Sequence, residues 1–306
     1  MYTLHRLIIE EITGDKMHNN HIIDNVNKDL MMNNYTFSQK YYLNLVNKWV
    51  DPYPKPVVKK HDGIRVVRED LITGTKVRGA SALVNAVQED TLVYVQPRVG
   101  LAGVSLLDVA EKYDRKVVLF MPSSKKISDH QACCIERGAK PKFKRIAAMP
   151  NLNIAAKQWA EENNAYFIPL GLKHELVTAG IIKTAMQIKA PDKCYIAIST
   201  GVLSRALQIA WPNTEFISVA VSRNLKHGEL GRSSVISDSL LFQKSEDLSN
   251  LPPFPTVPTY DGKVWKYIPK NSDEDILFWN VGAEPELINK NLYQYIDSYR
   301  DWHDTH

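Results

Sequence analysis

From Val57 onward the chain alternates short, β-branched apolar runs with stretches of helical periodicity, and this alternation restricts the fold more than any other feature. Strands are predicted at Ile64–Val67, Thr91–Val95, Lys116–Phe120, Ala165–Ile168, Cys194–Ile198, Phe216–Val221 and Ile276–Trp279. Helices are predicted at Ala80–Val87, Gly103–Tyr113, Ser128–Arg137, Asn153–Asn163, Val177–Gln187 and Ser204–Ala210. Short apolar runs separated by helices of this length require βαβ units and mainly parallel sheets. The near-continuous Val and Ile content of the strands implies burial on both faces.

Prolines punctuate the pattern. Those at 52, 54 and 56 force an extended segment ahead of it, and those at 252, 253, 255 and 258 exclude helix from a later loop. Residues 1–50, rich in Asn, Lys and Tyr, read as an N-terminal extension with a helical stretch at Tyr35–Trp49. The expected α/β unit is two-lobed over 51–290, with a smaller lobe at about 85–185 and a tail at 291–306. No apolar stretch reaches the roughly 18–20 residues that span a bilayer, so no membrane role is expected. The opening Met1–Arg6 segment runs into acidic and Asn-rich sequence, unlike a secretory signal, and a cytoplasmic location is expected. Three cysteines, two of them adjacent, match neither a disulfide framework nor a zinc spacing, so no metal is expected. A net charge of +4 is too mild to argue for nucleic acid. The basic run Lys140–Arg145 reads as a solvated loop, with a phosphate-rich or nucleotide-linked substrate as the other reading.

Ligands of open α/β sheets bind beyond the C-terminal ends of strands. Four loops in such positions carry chemistry. Arg68–Arg78 places Lys76 after a Thr-Gly-Thr turn at a helix start, where the helix N-terminus and Arg78 would lower its pKa; a surface lysine has the same local pattern. Ser199, Thr200, Gly201, Val202, Leu203 and Ser204 form a strand–turn–helix cradle suited to phosphate, and Arg205 could add charge. Tyr260 and Asp261 follow the proline-rich loop, as an acid/base pair or as an ordinary turn. Asn280–Pro285 is a glycine-containing turn after the last strand.

Together and in this order, these segments resemble the 1-aminocyclopropane-1-carboxylate (ACC) deaminase and D-cysteine desulfhydrase branch of fold-type II, tryptophan-synthase-β-like enzymes, over roughly residues 52–290. Val67–Asp70 and Gly74–Arg78 match the cofactor-lysine motif, which implies pyridoxal 5'-phosphate (PLP) carried by Lys76 as a Schiff base. Thr200, Gly201 and Ser204 match the phosphate loop, but two hydroxyls of that motif are lost at Val202 and Leu203. Pro258–Lys263 matches the segment whose acid faces the pyridine nitrogen, which implies that role for Asp261 and an active-site tyrosine role for Tyr260. Asn280 falls in the last cofactor motif. The resemblance also implies a homodimer.

One departure bears on the reaction. Gly100 and Leu101 stand where the branch carries a Ser-Asn pair that contacts substrate, and Arg98 becomes the candidate for a substrate carboxylate. The expected function is therefore a PLP-dependent lyase acting at Cα of an amino acid or similar substrate, by deamination, elimination or decarboxylation. The competing readings are an enzyme acting on an amino-acid group carried by a nucleotide or DNA, and a non-catalytic binding protein. A Rossmann-type enzyme would need a Gly-x-Gly-x-x-Gly turn, which the chain lacks.

Overall fold

The computed structural model describes residues 38–124, 127–144, 148–221, 225, 227–270 and 272–289. Most of the expected extension and all of the expected tail lie outside these residues, as does Arg145 of the basic run.

Two sheets carry the fold. The larger has six strands in the order β1-β2-β10-β7-β8-β9: β1 (Val58–His61), β2 (Ile64–Arg68), β7 (Lys193–Ile198), β8 (Glu215–Ala220), β9 (Ser234–Ser237) and β10 (Ile276–Asn280). The smaller has four in the order β5-β4-β3-β6: β3 (Thr91–Val95), β4 (Lys116–Pro122), β5 (Lys140–Lys144) and β6 (Tyr166–Phe167). All pairings in the small sheet are parallel, as the alternation required. The large sheet is parallel except at one edge, where β1 pairs antiparallel with β2 through the Asp62–Gly63 turn. That hairpin was not expected, because β1 is mostly exposed and polar and so lacks a run of apolar residues.

The helices are α1 (Lys76–Ala86), α2 (Ala102–Lys112), α3 (Asp129–Glu136), α4 (Met149–Glu162), α5 (Glu175–Ala185), α6 (Val202–Ala210) and the short α7 (His227–Leu230). One large apolar core runs through both sheets. It includes Val67, Ile196 and Leu277 from the six-stranded sheet and Leu92, Tyr94 and Leu119 from the four-stranded one. Burial of such side chains stabilises each by about 1.5–3 kcal/mol relative to exposure. The central strands β7 and β10 are buried almost throughout, which explains their unbroken apolar sequence.

Residues 38–49 are not separate from this unit. A helical turn at 38–45 leads to Val46 and Trp49, which are buried against Ala82 of α1 and Ala179 of α5. Lys183 fixes the segment by donating to the Val46 and Trp49 carbonyls at 3.0 and 2.5 Å.

The basic run is a strand rather than a loop. Lys140 to Lys144 forms the edge of the small sheet, and Lys142 lies 5.0 Å from the centre of the Trp159 ring. Charged lysines on an edge strand discourage pairing with another chain, and proline at 141 acts the same way.

Candidate active site

Strand order decides what meets at the C-terminal edge of the large sheet. β10 lies between β2 and β7, although about eighty residues separate β7 from β10 in sequence. The loops after Arg68, Ile198 and Asn280 therefore emerge side by side.

The loop after β2 delivers Lys76 as the first residue of α1. It is docked on the end of β10. The Thr75 N–H donates to the Val281 carbonyl at 2.8 Å, and the Thr75 hydroxyl accepts from the Trp279 indole at 2.8 Å. The hydroxyl is thus not capping α1. Lys76 Nζ donates to the Gly171 carbonyl at 3.1 Å, in the loop after β6. Burial pushes the pKa of the ammonium down to about 8. An amine in that range has an appreciable neutral fraction at physiological pH, as a nucleophile needs.

Arg78 plays no part in this, which corrects the sequence expectation. Its guanidinium binds Glu69 through two contacts of 3.1 and 2.9 Å and reaches Asp51 at 3.0 Å. The cluster is buried, and its charges are offset internally. Arg78 holds the Asp51–Pro54 segment to the fold, while burial alone lowers the pKa of Lys76.

The loop after β7 turns into α6 at Gly201, whose φ of +75° caps the helix in the left-handed region. A Cβ there would stand 2.6 Å from the Glu229 carbonyl, so both conformation and space require glycine. Gly171, also left-handed at φ +74°, lies against Thr200: a Cβ on it would come within 2.7–3.0 Å of the Thr200 side chain. Gly171 thus links Lys76 to the Thr200–Gly201 turn. Ser199, Thr200 and Leu203 are partly accessible, and Val202 packs into the core. Ser204 accepts from Gln208 at 2.8 Å inside α6, and Arg205 lies on the exposed face of that helix.

Asp261 is fully buried. Its oxygens accept the Val257 N–H at 3.0 Å and the Val281 N–H at 2.7 Å, tying the proline-rich loop to the end of β10. Burial raises its pKa to about 7, against the lowering effect of those bonds. Neighbouring Tyr260 has its phenol pushed up by burial and then by Asp261, and packs edge-on to Phe242 with ring centres 6.5 Å apart. Asn280 donates to Asp70 at 2.7 Å and to the Pro255 carbonyl at 2.9 Å. Its buried Oδ1 has no hydrogen-bond partner among the described residues.

The rebuilt loop after β3 is organised by Gln96. Its amide donates to the Pro97 and Gly100 carbonyls at 3.0 Å each, and its Oε1 accepts the Gly103 N–H at 2.9 Å. Leu101 reaches the large-sheet loops, lying against Gly74 and Gly282. Gly100 stays within its own loop, and Arg98 turns to Ser124 after β4.

Three neighbours of these loops escaped the sequence reading: Gly171, Lys173 and Glu229. The signal for Gly171 was the Pro169–Gly171 turn after a predicted strand, the same strand–glycine–helix pattern used for Gly201. Glu229 had no local signal.

No family model and no curated relative matches the sequence. Solved structures do match. An ACC deaminase homologue superposes with a TM-score of 0.64 at 16% identity, covering 84% of this chain and 97% of its own. Maize serine racemase gives 0.62 at 14%, covering 87% and 98%. A pyridoxal 5'-phosphate-dependent aspartate racemase gives 0.58 at 13%, covering 83% and 97%. The chain has the tryptophan-synthase-β-like, fold-type II architecture. The same strand-end loops that carry the sequence motifs converge in it.

Proposed function

We propose that this protein is a PLP-dependent enzyme acting at Cα of an amino acid, with Lys76 as the cofactor-bearing lysine. The observation that carries the reading is the Lys76 amine, lowered to about 8 by burial and held on Gly171 beside the Thr200–Gly201 turn.

The residues fit the cofactor. Lys76 offers a partly neutral amine. The glycine turn and the start of α6 offer backbone N–H groups to a phosphate, and Ser199 and Thr200 offer hydroxyls. Asn280 has a buried acceptor without a partner among the described residues, next to the residue bonded by Asp261. When bound, PLP supplies an electron sink for a bond broken at Cα.

The chain's own groups then have distinct tasks. Asp261, poised near neutrality by burial, holds the proton at the ring nitrogen. Lys76 would move a proton at Cα of the substrate. Tyr260, kept protonated, donates or accepts through its hydroxyl. Arg98 and the backbone of Gly100 and Leu101 orient the substrate carboxylate, and this loop selects which bond at Cα lies ready to break. A lyase of the deaminating type is the favoured reaction; decarboxylation is the alternative that the same loop would have to select.

Incubation with PLP, reduction with borohydride and peptide mapping should place a pyridoxyl group on Lys76. An unlabelled protein, or a label confined to other lysines, would remove the reading. A labelled protein that releases neither ammonia nor carbon dioxide from a panel of amino acids would instead be a binding protein.

A further inference from the structure

The Thr200–Leu203 turn has a neighbour that a phosphate site would not be expected to tolerate. Glu229 on α7 is 5% exposed and abuts Gly201: its carbonyl, Cα and Cβ stand 2.6, 3.0 and 3.1 Å from where a Cβ on that glycine would be. A buried carboxylate there opposes a bound dianion. Its charge is met by Lys173, whose Nζ lies 2.8 Å from Glu229 Oε1. Lys173 is two residues beyond Gly171, which both rests on Thr200 and accepts from Lys76. The ion pair therefore joins the loop after β6 to α7 alongside the turn.

The sequence of the turn leaves room for such a cation beside its backbone N–H groups and the Ser199 and Thr200 hydroxyls. Val202 and Leu203 carry no hydroxyl and Gly201 adds no side-chain donor, while the buried Ser204 hydroxyl accepts from Gln208 inside α6. Arg205 is on the exposed face of α6. Lys173 combines a buried partner with a side chain that is 41% exposed, so its ammonium can be shared between Glu229 and a ligand.

We propose that Lys173 supplies the positive charge of the phosphate subsite in place of the missing hydroxyls, and that Glu229 positions it there while competing for it. This rests on the PLP reading above. Lys173 and Glu229 then set selectivity for a phosphorylated over an unphosphorylated cofactor, without contact with the reacting carbon.

The test compares equilibrium binding of PLP and of pyridoxal, which lacks the phosphate, to the full chain and its variants. Lys173→Met should weaken PLP by about tenfold, a charge-assisted contact discounted for partial exposure, and leave pyridoxal within about twofold. Lys173→Arg should restore PLP binding. Glu229→Gln should tighten PLP and leave pyridoxal unchanged, and it serves as the test if Lys173→Met does not fold. Equal losses for both ligands, or no loss for PLP, would overturn the proposal while leaving the cofactor reading intact. A wild-type protein that binds neither ligand would overturn the cofactor reading itself.

Discussion

The loops that leave the six-stranded sheet are tied to one another through the backbone of Val281 and the buried Asp261 carboxylate, whereas the loop that leaves β3 is held in shape mainly by the Gln96 amide. On the first side Val281 is the hub: its carbonyl accepts from Thr75 and its N–H donates to Asp261. Three segments distant in sequence are locked by bonds in which Asp261 is the one side chain required. On the other side the Gln96 amide bridges Pro97, Gly100 and Gly103. The first arrangement suits a cofactor platform, which must not move. The second suits a specificity loop, whose shape can be changed by altering few residues.

The largest effect expected within this contrast is at the platform's reactive group. Lys76→Ala should abolish the borohydride label and cut turnover by at least about a thousandfold. It should also lower stability by about 1–3 kcal/mol, because the buried Gly171 carbonyl loses its donor.

Next comes the platform's anchor. Asp261→Ala leaves two buried N–H groups without an acceptor and should cost about 2–4 kcal/mol in denaturant unfolding. Asp261 also gives a pH signature. Its folded pKa, about 7, lies above that of a free carboxyl, so between about pH 4 and 7 the folded state binds more protons than the unfolded state. Stability attributable to Asp261 should therefore fall as pH rises through that window and level off above it. Asp261→Asn should flatten the profile of Tm against pH there; an unchanged profile would assign the slope to other groups.

A smaller loss is expected at the turn. Gly201→Ala combines a left-handed backbone with a contact of 2.6 Å and should destabilise by about 1–3 kcal/mol while weakening PLP binding. The smallest stability effects should fall on the specificity loop. Gln96→Ala should cost about 1–2 kcal/mol. Arg98→Met should stay within about 0.5 kcal/mol in stability and raise KM for the amino acid more than it lowers kcat. A large unfolding penalty from Arg98→Met would erase the distinction between the two sides.

Much of the framework was legible because its strands are buried on both faces. β3 was placed to the residue, and β7, β8 and β10 to within one or two. The strands missed were β1, β5 and β9, all at sheet edges, where one face meets water and an apolar run is not needed. Among site residues, the Lys76 and Thr200–Gly201 turns were visible because helix starts after strands carry glycine and small polar residues. Arg78 was misread because sequence proximity to Lys76 says nothing of direction. On α1 the two point to different surroundings, one to Gly171 and one to Glu69 and Asp51.

The sequence by itself determined the alternating α/β plan, the lysine at a glycine turn and the loss of hydroxyls at Val202 and Leu203. Those are local properties, set by periodicity and by which residues tolerate a given backbone. Only the tertiary structure decided that β10 inserts between β2 and β7, that Gly171 brings Lys76 to Thr200, and that Glu229, paired with Lys173, abuts Gly201. Each depends on strand order and on burial, which lowers Lys76 and raises Asp261 only once their distant neighbours have excluded water.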